Sequence, residues 1–290
     1  MIAPLLLAAL LATAPVPPLA SRFGDVAEVA QGRVGVAVKI LEGHDEPIGW
    51  MSGYTYPMQS VYKLPISMAV LHEVDAGRLS LEAPVRVPKS ELVPKPSHSP
   101  LRDKNPNGTT VSLRELVRLA IVESDGTASD VLMRLAGGPE TVMSYLKELG
   151  ITELLVQDTE MQLAKDSKAQ YRNTATPSAA LTLLSVLHGG PALSAKSRAL
   201  LLQDMTDSKP GAARLKGALP AGTPVAHKTG TGGTEKDVTS ATNDIGIITL
   251  PDGRHLAIAV FVADAKADQA TREGVIAKIA RAAWDFYVKP

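Results

Sequence analysis

The chain has 290 residues, is 45% hydrophobic, and carries thirty Lys and Arg against thirty Asp and Glu, a formal net charge of zero. That is enough apolar material for one large domain or two interlocked ones, and the charge balance argues against a nucleic-acid or anionic-membrane partner. Cysteine is absent, which excludes disulfides and thiolate chemistry, and the six histidines show no ligand-like spacing, so neither a metal nor another cofactor is expected.

Residues 1–20, MIAPLLLAALLATAPVPPLA, are too short an apolar run to span a bilayer and end on prolines and a small residue. They read as a signal peptide cleaved near Ala20, although no Lys or Arg precedes the apolar core. No second long apolar run follows, so the mature chain is expected to be periplasmic or secreted, without membrane insertion.

Val34, Val36, Val38 and Ile40 then alternate with period two, which predicts a strand over 32–41. A Gly/Tyr/Pro-rich segment leads to a helix predicted from Ser60 to about Ala76. Residues 84–108 are proline-rich and aperiodic and read as a long surface excursion. About a hundred residues of helical pattern follow. Ser112 and Glu115 make a capping-box signature, and further helices are predicted over 127–136, 140–149, 176–187 and 194–205. Residues 151–174 are polar and irregular.

Strands are predicted over 224–228, 243–250 and 255–263, the last two joined as a hairpin through Pro251-Asp252-Gly253-Arg254. A helix over 269–287 ends the chain. The two ends therefore share one antiparallel sheet flanked by helices, an α/β (α+β) fold with an added all-helical lobe. The expected division is 21–57 with 208–290 for the sheet domain and 58–207 for the helical domain.

Several polar residues carry possible chemistry. Ser60 and Lys63 lie one helical turn apart, a hydroxyl beside an amine at a helix mouth where free N–H groups favour an oxyanion. Ser-x-x-Lys alone occurs by chance about once in a chain of this size. Ser124-Asp125-Gly126 between two helices reads equally as an N-cap and turn. Taken alone, Lys228-Thr229-Gly230 reads rather as an exposed strand end, and Glu160 as a solvated loop carboxylate.

Order and spacing change this. Glu160 follows Ser124 by 36 residues and Lys228 follows Glu160 by 68. In this arrangement the chain resembles the class A serine β-lactamases, whose pattern runs S-x-x-K, S-D-N, a loop glutamate, then K-T-G. The resemblance covers nearly all of the mature chain and implies the β-lactamase/transpeptidase-like fold and a small-molecule β-lactam substrate; the sequence leaves the oligomeric state open, with a monomer as the default.

It also implies roles. Ser60 attacks the lactam carbonyl beside Lys63, with the N–H groups of Ser60 and Thr231 as oxyanion hole. Ser124 passes a proton to the leaving nitrogen near Lys228, and Glu160 activates the water that deacylates. Lys63 and Glu160 both remain candidates for the first proton acceptor. Thr229, Gly230, Thr231 and Arg214 are expected to meet the substrate, with Arg214 standing in for an arginine that the stretch Thr242-Asn243-Asp244 lacks.

The chain departs from the family pattern in three places. Gly126 replaces the asparagine of S-D-N, removing a substrate hydrogen bond of about 1–3 kcal/mol. The loop reads Glu160-Met-Gln-Leu-Ala164 where an asparagine normally closes the motif, and His227 and Asp130 point to a diverged branch with a differently folded loop. His98 occupies the place of an aromatic gate. The alternatives are a penicillin-binding D,D-peptidase or a non-hydrolysing lactam-binding protein.

Overall fold

The computed structural model describes residues 18–288. Of the expected leader, only Pro18, Leu19 and Ala20 fall among them. Leu19 opens helix α1 (Leu19–Ala27), and Leu19, Phe23 and Ala27, each four residues apart, are buried. Strand β1 (Arg33–Ile40) follows with the expected alternation, and β2 (Ile48–Trp50) pairs antiparallel with it. The short strand β3 (Tyr56–Pro57) leads into the helical part.

That part begins with a 3-10 turn, Gln59–Tyr62, that runs without a break into α2 (Lys63–Asp75). Every residue of α2 from Lys63 to Leu71 is buried, as expected of a helix that is apolar on all sides. The proline-rich stretch is more regular than its composition suggests. It holds β4 (Pro84–Pro88) and α3 (Pro100–Lys104), and β4 pairs with β5 (Gly108–Ser112). Two of its prolines, Pro84 and Pro88, sit at the two ends of β4 in an isolated two-stranded ladder, where a missing N–H costs little.

Helices α4 (Leu113–Val122), α5 (Gly126–Leu135) and α6 (Pro139–Glu148) complete the lobe. Ser112 caps α4 as expected, but Glu115 does not close the box. Its carboxylate instead forms a two-pronged pair with Arg118, at 2.7 Å on each prong. The irregular segment contains β6 (Leu154–Leu155), α7 (Glu160–Leu163) and β7 (Thr174–Ala175), and β7 joins β3 and β6 in a small sheet.

Thr176 caps α8 (Pro177–Gly189), and α9 (Ala195–Thr206) follows. Although α8 lies within the range expected for the helical lobe, it packs on β1 and β11. It is apolar enough to cover the sheet, with Leu181, Leu184 and Leu187 buried.

The closing strands are β8 (Val225–Thr231), β9 (Thr234–Glu235), β10 (Val238–Thr249) and β11 (His255–Ala265), followed by α10 (Gln269–Tyr287). They extend beyond the predicted limits because polar residues such as Thr229, Thr239 and Asn243 are buried in the ladder and hide the period. The main sheet runs β2-β1-β11-β10-β8, with β9 on β10. One face, bearing Val34, Val36, Val38, Ile258 and Val260, packs on α1 and α10. The other, bearing Ala37, Ala257, Ala259 and Phe261, joins the core of the helical lobe. Its small residues matter: a Cβ on Gly35 would sit 2.4 Å from the Tyr56 ring.

Candidate active site

Strand β8 is the terminal strand of the sheet, and its outer edge faces the turn that carries Ser60. Two features fix that approach. A Cβ on Gly230 would lie 2.2 Å from the Met58 carbonyl, so only glycine admits this contact. Asn243 donates to the carbonyls of Pro57 and Met58 at 2.8 and 3.1 Å, tying the turn to β10. Asn243, named above only for lacking an arginine's charge, is thus a buried fastener.

Ser60 opens onto a cleft of about 700 Å³ shared by Lys63, His98, Glu160 and the β8–β9 connection. The buried Lys63 ammonium donates to Ser60 Oγ at 2.8 Å and to the Ser124 carbonyl at 3.0 Å, and lies 2.6 Å from Glu160 Oε1. Burial by itself raises the Glu160 carboxyl. The charge and hydrogen bond of Lys63, with Lys228 behind it, outweigh this and hold it below its ordinary value.

Ser124 has a left-handed backbone (φ 59°), a strained conformation for a residue other than glycine. Its Oγ accepts from Lys228 Nζ at 2.9 Å. Burial pushes the Lys228 ammonium well below its ordinary range, and the Lys63 charge pushes it further. The Ser-Asp-Gly motif is an N-cap and also brings Ser124 to a lysine. Asp125 is the N-cap of α5, accepting from Ala128 N at 2.8 Å and from Leu101 N at 2.6 Å, while Ser124 meets the second lysine.

Five expected residues therefore converge, namely Ser60, Lys63, Ser124, Glu160 and Lys228. Thr229 and Thr231 line an adjoining recess of about 250 Å³ with Ser60, Ser124 and His98. Arg214 stands behind this recess, almost fully buried. Its Nη1 donates to the carbonyls of Gly230 and Asn243 at 3.1 and 2.9 Å, its Nη2 to Thr231 Oγ1 at 2.8 Å, and its Nε to Glu273 at 3.1 Å. His98 sits at the rim, its Nε2 3.0 Å from the Glu123 carbonyl.

The sequence model of the β-lactamase enzyme family matches residues 18–287. The chain belongs to this family. Beta-lactamase VEB-1 of Pseudomonas aeruginosa is 37% identical over 93% of the chain and 90% of its own length. The crystal structure of a β-lactamase from Chitinophaga pinensis is 43% identical with a TM-score of 0.90, covering 93% of this chain and 99% of that one. A representative class A β-lactamase from Bacteroides cellulosilyticus is 32% identical with a TM-score of 0.87, covering 93% and 96%. Class and fold agree with the order of motifs, and the enzyme is a class A serine β-lactamase.

The β-lactamase holds its Glu160 loop by contacts that sequence reasoning missed. Thr159 and Gln162 form a complete capping box on α7, and their Thr-x-x-Gln spacing was the available signal. Asp130 accepts the N–H groups of Glu160 and Met161, one on each carboxylate oxygen, at 2.7 and 2.9 Å. Asn173 Oδ1 accepts from Gln157 N and Asp158 N, and Arg172 grips the Asp158 carboxylate at 2.6 and 3.0 Å. Ala164 lines the cleft just beyond α7.

Gly126 has a packing reason as well as a missing amide. A Cβ there would meet the His98 carbonyl at 3.1 Å and Glu160 Cγ at 3.2 Å, so the Glu160 side chain lies against the space an asparagine needs. Gly126→Asn is expected to restore the family motif and still lower kcat by about tenfold, because displacing Glu160 by tenths of an ångström misaligns it. Steady-state rates decide this, and an increase in kcat would refute it.

Proposed function

We propose that this β-lactamase opens the lactam amide through an acyl-enzyme on Ser60 and releases it with water activated by Glu160. The observation that carries this is the unbroken line from Ser60 Oγ through Lys63 Nζ to Glu160 Oε1, at 2.8 and 2.6 Å. When Lys63 gives a proton to Glu160, its free amine can take the Ser60 proton as Oγ attacks the carbonyl carbon. The developing oxyanion is met by the N–H groups of Ser60 and Thr231.

As the C–N bond breaks, Ser124 donates its hydroxyl proton to the leaving nitrogen and is refilled by Lys228, whose depressed pKa makes it a ready donor. Glu160 returns its proton to Lys228 by way of the cleft and, ionised again, removes a proton from the water that attacks the ester carbonyl; that proton passes through Lys63 to Ser60 Oγ as the ester C–O bond breaks. Thr229 and Thr231 hold the substrate carboxylate. Arg214 donates to Thr231 Oγ1 from behind, which leaves the Thr231 hydroxyl proton free to point into the cleft. His98 borders the recess at its rim.

Arg214→Ala is expected to raise KM for anionic lactams about tenfold, because the charge-assisted hydrogen bond that orients Thr231 Oγ1 is lost, with a smaller effect on kcat. An unchanged KM in a variant with wild-type melting behaviour removes Arg214 from substrate recognition. The enzyme acts as an exported monomer. No helix among the described residues is long and apolar enough to cross a membrane, and the neutral net charge suits a small-molecule substrate over nucleic acid.

The test is to mix purified protein with a chromogenic cephalosporin and follow both colour and protein mass. Steady colour with no lasting adduct is expected. A single burst with a persistent mass increase would instead identify a penicillin-binding peptidase, and neither signal a non-hydrolysing homologue.

A further inference from the structure

A second cluster of chemically able side chains lies at the opposite end of the sheet. Glu42 follows β1, His188 is the penultimate residue of α8, and His255 is the first residue of β11. From His255 to Val262, which pairs with Thr242 and through it with Thr231, is seven residues of strand, about 23 Å at 3.3 Å per residue. This cluster is therefore independent of the catalytic cleft and of the function proposed for it.

The three side chains point at one spot. The ligating atoms of Glu42, His188 and His255 all lie within 4.8 Å of one another. The two imidazoles lie with centroids 4.4 Å apart and planes tilted by 46°, and Glu42 Oε1 lies 3.3 Å from His188 Nε2 and 2.6 Å from His255 Nδ1. The supports are rigid. Leu41 N donates to the His255 carbonyl at 2.8 Å and His255 N donates to Glu42 Oε2 at 2.7 Å, so backbone fixes two of the three residues.

We propose that Glu42, His188 and His255 form a zinc-binding site that clips the end of β1 to α8 and β11. Two imidazole nitrogens and one carboxylate are a zinc ligand set, with a fourth tetrahedral position left for water. Bonds of about 2.0–2.1 Å to a tetrahedral ion put neighbouring ligand atoms about 3.3 Å apart, which is the His188–Glu42 separation already present. The His255–Glu42 pair is shorter because a proton lies between the two atoms. In the Nε2–H tautomer of His255, the Nδ1 lone pair turns to the metal in place of that proton.

Opening this pair needs only a small shift of Glu42 Oε1 about the Oε2 anchor, and the side chain is 43% exposed. The two imidazoles, at 24% and 32% exposure, leave a solvent path for the ion and its water. Sequence spacing could not reveal this set, since Glu42 and His255 are 213 residues apart and share no local motif. The expectation of no metal rested on such local spacing alone.

The test is calorimetric titration of the full chain, freed of metal by chelator and dialysis, with Zn2+ alone. One zinc per chain is expected, together with a rise in Tm that Mg2+ does not reproduce. His188→Ala and His255→Ala are each expected to weaken binding at least tenfold and abolish the rise in Tm. Both variants should hydrolyse a chromogenic cephalosporin at the wild-type rate, which also reports that they fold. Glu42→Gln, which keeps the side-chain size, supplies a third reading. A flat titration, or equal zinc affinity in the three variants, overturns the proposal and leaves a hydrogen-bonded cluster only.

Discussion

Glu160→Gln turns steady hydrolysis into a trapped acyl-enzyme, with kcat lowered about 10³-fold and the protein heavier by one intact lactam. The substitution preserves shape and can still accept from Lys63, but the amide cannot remove a proton from water, and general-base catalysis contributes about 10²–10⁴. The wild-type carboxylate suits that task. Despite burial it is kept ionised by Lys63, 2.6 Å away, and by Lys228 behind it.

Acylation should slow, since Lys63 loses the acceptor for its proton, yet outlast deacylation, because Lys63 lines the cleft, can release that proton to cleft water and remains 2.8 Å from Ser60 Oγ with the Ser124–Lys228 pair untouched. A burst of colour equal to one turnover, followed by a persistent adduct in the mass spectrum, is the expected signature. Glu160→Gln enzyme that turns over at the wild-type rate removes Glu160 from the mechanism. Enzyme that neither bursts nor forms an adduct makes Glu160 essential to acylation as well.

What could be read from the sequence divides along physical lines. Ser60 and Lys63, one turn apart on one helix, need only local geometry to meet, and helix caps such as Thr176 and Asp125 are equally local. Ser124, Glu160 and Lys228 became legible only through their order along the chain, since nothing local brings a buried lysine on β8 to a serine 104 residues earlier. Strands β4 and β5 were hidden by prolines that an isolated ladder tolerates, and β10 by buried Thr and Asn that break its alternation. The orientation of Arg214 towards Thr231 and the contact of Gly126 with Glu160 arise from packing, and no spacing rule encodes them. Asp130 was visible only as an unusual residue, and its role appears when it is seen across from α7.

That role gives the second large effect: Asp130→Asn is expected to slow turnover about 10²-fold, the cost of misplacing a catalytic group by about 1 Å. Two backbone donors, Glu160 N and Met161 N, need two acceptors. A carboxylate offers both oxygens, whereas an amide turns an NH2 group on one of them. The same geometry gives a pH dependence. Burial, and then the charge of Glu160, raise the Asp130 pKa from its ordinary 3.8 to about 7, against the pull of the two N–H donors and Lys63.

A folded-state pKa raised above the unfolded one contributes stability that is present below about pH 4 and lost as pH rises through about 7, by a few kcal/mol. Glu160, whose pKa is depressed, acts only below its ordinary 4.5, where its stabilisation is lost on acidification. Between pH 5 and 7, therefore, stability should fall with rising pH while turnover rises, because the ionised Asp130 seats Glu160. Melting curves and deacylation rates across this window check both signs. Asp130→Asn should flatten the two profiles, and turnover in the variant that matches wild type at pH 8 would show that the loop holds Glu160 without Asp130.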